Sequence, residues 1–323
     1  MSENILLSVK GLRAYYHASP VPIKAVDNVS FYVYRNEIFG IAGESGCGKS
    51  TLAKAILKLL DPPGYIKSGE VLFKGINLLT LKDRDLRKIR SREISYIPQG
   101  SMNSLNPVMK IKNQFENAIK AHLSKRERRK WLKRKIIEEL LTSVGLAPEV
   151  AEMYPHELSG GMKQRVIIAM AIALSPELII ADEPTTALDV IVQRGILQLL
   201  SDIKERLKSS IILITHDIAV QAMIADRMGV MYAGKIVEIS PVKSVFSDPL
   251  HPYTQALISA VPSLTINKRL KGLPGAPPNL KYPPPGCRFH PRCPYMIPGL
   301  CDKKDPPMLE VKKNRLVACH LYR

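Results

Sequence analysis

Gly43-Glu44-Ser45-Gly46-Cys47-Gly48-Lys49-Ser50-Thr51 fits G-x-x-x-x-G-K-[ST], a pattern suited to holding a chain of phosphates. Its glycines let the backbone curl until successive N–H groups point at phosphate oxygens. A helix beginning after the lysine adds its positive end at the same spot. In such a loop Lys49 reaches the β- and γ-phosphates, Ser50 ligates Mg²⁺ through its hydroxyl, and Thr51 adds a hydroxyl to the α-phosphate. Cys47 reads as a loop filler whose side chain does no chemistry.

A second constellation closes the apolar run Leu178-Ile179-Ile180-Ala181, which ends in Asp182-Glu183. Successive strand residues face opposite ways, so the two carboxylates cannot share one task. Asp182 is expected to orient Mg²⁺ through its water shell. Glu183 is expected to polarise an attacking water as general base. A third group is Cys287, Cys293, Cys301 and Cys319, spaced C-x5-C-x7-C-x17-C. Four thiolates suit Zn²⁺ or an iron–sulfur cluster, and this spacing matches neither the tight zinc pairs nor the familiar ferredoxin runs. In a reducing compartment such a cluster points to metal before disulfide.

The elements that must carry these groups alternate between strand-like and helical, which is the signature of an α/β fold with a largely parallel sheet. Ile38–Ala42 is a short apolar strand running into the glycine loop, and Ser50–Leu60 reads as the following helix, stopped by Asp61-Pro62-Pro63-Gly64. Ile94–Ile97, Leu178–Ala181 and Ile211–Thr215 are further strands whose polar tips lie where open α/β sheets place ligands. From about residue 100 to 162 the pattern is helical and basic. Gly272–Gly286 holds six prolines and three glycines, a linker before the cysteine-bearing end. The expected organisation is a nucleotide-binding domain over 1–271 with a helical subdomain at about 100–162, a linker over 272–286, and an extension over 287–323.

The chain has 323 residues, 46% of them hydrophobic, and a formal charge of +18. That charge admits nucleic acid or anionic lipid as partners. The densest run, Lys125, Arg126, Arg128, Arg129, Lys130, Lys133, Arg134 and Lys135, is threaded by Leu132, Ile136, Leu140 and Val144 at helical spacing. It therefore reads mainly as the wet face of an amphipathic helix. Trp131 is its one aromatic, too few for a single-strand stacking platform. The longest apolar run, Val166–Leu174, falls well short of the roughly 20 residues of a membrane span. The N-terminus lacks the pattern of a secretory signal, so the protein is expected to stay in the cytoplasm unless a partner holds it at a membrane.

Leu158-Ser159-Gly160-Gly161-Met162-Lys163-Gln164-Arg165 matches the signature motif of ATP-binding cassette (ABC) ATPases, and the chain resembles that family over nearly its whole length. The resemblance implies an α/β P-loop NTPase core with an inserted helical subdomain. It also implies that Ser159, Gly160 and Gly161, a helix N-terminus, face the ATP held by a second cassette. Gln99 is similar to the glutamine that touches Mg²⁺ or the water and communicates with a membrane subunit. Asp189, in Ala187-Leu188-Asp189, is similar to the loop packed across the cassette dimer. His216 is similar to the histidine that contacts the γ-phosphate, and Tyr16, beside Tyr15, to the aromatic that stacks on adenine.

Asn103-Ser104-Leu105-Asn106-Pro107, Met231–Glu238 and Pro249-Leu250-His251-Pro252-Tyr253-Thr254 narrow the resemblance to dipeptide/oligopeptide importers. Gly100 departs from that group, which often carries an acidic residue there. The group implies a motor on the cytoplasmic face of the membrane, hydrolysing ATP to drive solute uptake. Its partners would be a second homologous ATPase, two permease subunits and an extracytoplasmic solute-binding protein, with no nucleic acid. The same similarity favours a [4Fe-4S] cluster on the four cysteines, with Zn²⁺ as second choice. The competing expectation is a soluble ABC-type ATPase acting on nucleic acid or ribosomes. It is disfavoured because neither paired cassettes nor a long coiled-coil insertion is present.

Overall fold

The computed structural model describes residues 4–123, 126–127, 134–260, 273 and 275–323. Two compact units are present: Met1–Thr80 with Leu213–Arg323, and Leu81–Ile212. The first unit opens with β1 (Ile5–Tyr16), β2 (Ile23–Tyr34), β3 (Ile38–Ala42), α1 (Lys49–Ile56), β4 (Gly64–Phe73) and β5 (Ile76–Asn77). The second carries α2 (Asp83–Ile89), β6 (Ile94–Ile97), α3 (Ile111–Lys120), α4 (Arg134–Ser143), α5 (Gly160–Ile172), β7 (Leu178–Asp182) and α6 (Val190–Leu207). β8 (Ser210–Ile214) leads back into the first unit. That unit continues with α7 (Ile218–Ile224), β9 (Arg227–Tyr232), β10 (Lys235–Pro241), α8 (Val242–Ser247), α9 (Pro252–Ser259), β11 (Leu309–Lys312) and β12 (Arg315–Val317).

In the first unit β3 pairs in parallel with β9, with Ile41 opposite Gly229. All five β3 residues are buried, as a strand covered on both faces requires. β10 pairs antiparallel with β9, and β12 and β11 extend the edge in the order β11-β12-β10-β9-β3. The chain's last segment is thus built onto this sheet. A separate antiparallel sheet has the order β2-β1-β4-β5. It does not follow from the α/β alternation, because register shifts along β1, with Gly11 and Asn28 at positive φ, break the period-two pattern. In the second unit β6 and β7 are parallel partners, with Tyr96 opposite Ile180. Among the described residues 100–159 only helices and turns occur.

Two sequence expectations are corrected. The helix expected to run to Leu60 ends at Ile56, because Lys58 adopts a left-handed backbone (φ 51°) and the Leu59 amide folds back onto the Lys54 carbonyl. The buried stripe of α4 is Ile137, Leu141 and Val144, while Ile136 and Leu140 are only half-buried. Adjacent apolar pairs leave the helical phase ambiguous in sequence, and packing resolves it. Most of the basic run before α4 (Lys125, Arg128, Arg129, Lys130 and Lys133, with Trp131 and Leu132) lies outside the described residues.

Buried polar side chains account for the importer-like motifs. Glu238 on β10 is fully buried, and its carboxylate accepts the amides of Leu250 (3.1 Å) and His251 (2.8 Å). This fastens the Pro249–Thr254 turn and starts α9. His251 is also buried, which pushes its pKa down to about 3 and keeps it neutral, so that Nδ1 accepts the Tyr253 amide (3.0 Å). In the second unit Gln114 accepts the Asn106 amide (2.9 Å) and donates to the carbonyls of Asn106 and Met109, fixing the loop after Asn103. Gly100 has φ 65°, a conformation that glycine adopts without cost and an acidic residue does not.

Candidate functional site

The glycine loop leaves the end of β3 and enters α1 through Gly48, which has φ 108°. A Cβ at Gly48 would lie 2.0 Å from the Ala25 carbonyl, and one at Gly43 would lie 2.1 Å from the Met231 carbonyl. Only glycine fits at these two positions. Lys49, the first residue of α1, is buried, and its Nζ donates to the carbonyls of Gly43 (2.8 Å) and Glu44 (3.0 Å). The ammonium is therefore held at the mouth of the loop, beside the helix N-terminus. Ser45 and Gly46 are exposed and Ser50 is half-buried in the first turn of α1. Cys47 is buried, its thiol pushed up by burial, and its carbonyl accepts the Gly234 amide (2.8 Å). These contacts suit a structural filler. The Tyr16 hydroxyl shares a hydrogen bond with Thr51 Oγ1 (3.2 Å), whereas Tyr15 is buried and donates to Asp27 (2.7 Å). Of the two tyrosines, Tyr16 is the one beside the loop helix.

In the second unit, the carboxylates at the end of β7 have different surroundings. Asp182 is fully buried and accepts the Tyr96 hydroxyl (3.2 Å). Glu183 is half-buried with φ 50°, a left-handed backbone that a non-glycine residue adopts rarely and mostly at functional turns. Its Oε2 accepts Gln99 Nε2 (3.1 Å) and Thr186 Oγ1 (2.9 Å). The structure thus joins Gln99 to Glu183 by a direct hydrogen bond. Tyr96 and Thr186 were not anticipated from sequence. The signal for Tyr96 was its place on the strand beside the Asp182 strand, and for Thr186 its three-residue spacing from Glu183.

Ser159, Gly160 and Gly161 begin α5, with Ser159 and Gly160 exposed. Ser159 Oγ accepts the Met162 amide (3.3 Å), an ordinary N-cap within this chain. Gly161 packs on α6, where a Cβ would meet Val192 Cγ1 at 2.7 Å. Asp189 caps α6 by accepting the Val192 amide (2.9 Å), and Val190 and Ile191 beside it are strongly exposed. In the first unit His216 is exposed between β8 and α7.

The four C-terminal cysteines are all free thiols. Burial pushes the Cys287 thiol up to about 12, and the charges of Cys319, Cys301 and Cys293 add to the rise, so the four lie within electrostatic reach of one another. The Cys287 amide donates to the Cys301 carbonyl (2.8 Å), and Cys301 Sγ accepts the Ile297 amide (3.4 Å). Among the described residues no group of three or more His, Cys, Asp or Glu side chains is gathered to hold a metal ion. The [4Fe-4S] cluster expected on the four cysteines, and the Zn²⁺ site that was its second choice, thus draw no support from the arrangement of the described residues.

Comparison with known proteins agrees with this arrangement. Residues 26–186 match the family described as "ABC transporter", and residues 237–301 match "Oligopeptide/dipeptide transporter, C-terminal region". A dipeptide transport ATP-binding protein, DppD, of Caldanaerobacter subterraneus subsp. tengcongensis is 45% identical over 99% of this chain and 98% of its own. An oligopeptide transport ATP-binding protein, OppD, of Bacillus subtilis is 42% identical over 97% of this chain and 87% of its own. A dimeric bacterial ABC transporter cassette superposes with a TM-score of 0.63 at 32% identity, covering 73% of this chain and 98% of that one. A second structure, at 31% identity and a TM-score of 0.62, is a dimeric post-hydrolysis cassette bound to ADP and Pi.

Proposed function

This chain belongs to the ABC transporter family as an ATP-hydrolysing cassette, and from that premise we propose that it is the motor subunit of a dipeptide/oligopeptide importer. The single observation that carries the importer reading is the fit of the C-terminal region to the oligopeptide/dipeptide transporter family, on a chain matched end to end by peptide-transport ATP-binding proteins. In this reading residues 1–271 are the ATPase domain, about 100–162 its helical subdomain, 272–286 a linker and 287–323 the cysteine-bearing extension. The subunit works on the cytoplasmic face of the membrane with a second ATPase, two permeases and an extracytoplasmic binding protein. No helix among the described residues is long and apolar enough to cross a membrane, so its hold there would come from the permeases. A cavity of about 310 Å³ beside β6, lined by Tyr96, Leu105, Gln114 and His122 among others, is a natural seat for a permease segment near Gln99.

The proposed division of labour follows the local chemistry. Gly43, Ser45, Gly46, Cys47 and Gly48 supply backbone N–H groups to the phosphates, and Lys49 turns from the loop carbonyls to the β- and γ-phosphates. Tyr16 stacks on adenine and Thr51 meets the α-phosphate. Ser50, Asp182 and Gln99 carry the hard oxygen donors that would hold Mg²⁺, which would neutralise phosphate charge. Glu183, oriented by Gln99 and Thr186, takes the proton of the attacking water. His216 contacts the γ-phosphate. Ser159, Gly160, Gly161 and Asp189 serve the nucleotide of the partner cassette, and the exposed Val190 and Ile191 of this chain face that partner with them.

For the four cysteines we infer a [4Fe-4S] cluster. What supports it is the similarity to the dipeptide importers, together with four free thiols carried by the C-terminal segment. Protein purified without oxygen is expected to be brown, with iron and sulfide in matching amounts. Colourless protein with stoichiometric zinc contradicts this.

The importer reading is tested by fractionating cells with and without the permease genes. The chain is expected in the membrane fraction with the permeases and in the soluble fraction without them. Retention on nucleic acid that falls steeply with salt would favour the soluble rival instead.

A further inference from the structure

Glu44 occupies a position of the phosphate loop that the motif leaves open, yet it is among the most tightly held residues of the first unit. Its amide donates to the Tyr253 hydroxyl (3.0 Å), a side chain of α9. Its carbonyl accepts both Lys49 Nζ (3.0 Å) and the Cys47 amide (3.2 Å). Its carboxylate receives both arms of Arg292, at 2.9 and 3.0 Å, the fork geometry in which arginine binds carboxylate most strongly. Arg292 comes from the C-terminal segment, immediately before Cys293, and its side chain is only 6% exposed. The same guanidinium donates to the Tyr232 hydroxyl (3.3 Å) and lies 5.8 Å from that ring's centre. Phe289, on the same segment, is buried edge-on against Tyr232.

A carboxylate in this loop is a liability, because it stands beside the place where a polyanion must bind. The bidentate ion pair cancels its charge and draws it to the C-terminal segment. We propose that Arg292 is a positioning residue for nucleotide binding: by neutralising and anchoring Glu44, it sets the phosphate loop in its anion-accepting form. The C-terminal segment is then a working part of the nucleotide site. This rests on the reading that loop 43–51 takes the phosphates of ATP.

The test is titration of the full-length protein with MgATP and, separately, with adenosine. Arg292→Ala is expected to weaken MgATP binding roughly tenfold, the scale of losing one charge-assisted pair, and to leave adenosine binding unchanged. The double variant Glu44→Gln with Arg292→Ala is expected to return MgATP affinity to within about threefold of the parent, because the uncompensated charge is gone. Parent-like binding by Arg292→Ala overturns the proposal. So does a double variant as weak as the single one, which would mean that Arg292 only holds the tail together. Where Arg292→Ala fails to fold, Arg292→Lys keeps the charge but loses the fork, and a roughly threefold loss is expected; parent-like binding by it is equally contrary. Lys49→Ala separates the two readings: if it binds MgATP normally, the loop is not the phosphate site, whereas if it alone loses binding, only the role of Arg292 fails.

Discussion

Glu183→Gln is expected to lower ATP turnover by about 10²- to 10⁴-fold, the usual share of a general base, while MgATP affinity stays near that of the parent. The substitution is nearly isosteric. A glutamine carbonyl still accepts the Thr186 hydroxyl and the Gln99 amide that reach Oε2. The left-handed turn at Glu183 keeps its direction, so the geometry that aims the side chain survives. What disappears is the capacity to take a proton from water. Turnover and binding should therefore separate cleanly, by steady-state phosphate release on one side and MgATP titration on the other. Turnover within about threefold of the parent would remove Glu183 from the role.

Lys49→Ala is expected to fail one step earlier. In the structure the ammonium is satisfied by the carbonyls of Gly43 and Glu44 at the loop mouth. Exchanging carbonyls for phosphate oxygens converts two bonds to neutral acceptors into bonds between opposite charges. Charged hydrogen bonds contribute roughly 1.5–3 kcal/mol, so MgATP affinity should fall about 10- to 100-fold. Adenosine affinity should change little, because adenosine carries no phosphate for the lysine to bind. The same variant takes a donor from the Gly43 carbonyl, while the Glu44 carbonyl keeps the Cys47 amide, so a modest drop in thermal stability accompanies the loss of binding. A variant that binds MgATP as the parent does would contradict the assignment of the loop.

How much of this was legible in the sequence depended on whether the constraint was local. The loop from Gly43 to Thr51 could be read because glycine is obligatory where the backbone meets Ala25 and Met231, and because strand, loop and helix are contiguous. The Asp182-Glu183 pair could be read because one short apolar strand carries both. The brace on Glu44 could not: Arg292 and Tyr253 reach it from 248 and 209 residues away. Nothing in the spacing of Cys287 and Cys293 shows that Arg292, one of two arginines between them, turns to the phosphate loop. Nor could the pairing of Glu238 with the turn at Leu250 and His251 be inferred from either motif alone, though together they explain why both are present. The β2-β1-β4-β5 sheet was hidden for a different reason, its alternation blurred by irregular pairing.

The signature residues pose the remaining structural question. Within one chain Ser159 merely caps α5, and Asp189 merely caps α6, yet both cap regions are exposed next to the uncovered Val190 and Ile191. Exposed apolar residues beside a helix N-terminus are economical only if a partner and an anion cover them together. In the proposed reading ATP held between two cassettes would do this, and nucleotide would then be the condition for association.

The most direct test is the mass and nucleotide content of the Glu183→Gln subunit, purified with its partner ATPase and passed over a sizing column with light scattering. With MgATP present, a closed pair is predicted, holding unhydrolysed ATP and falling apart when nucleotide is withdrawn. Subunits that stay single and empty in saturating MgATP, or a pair that persists unchanged without nucleotide, would contradict the account.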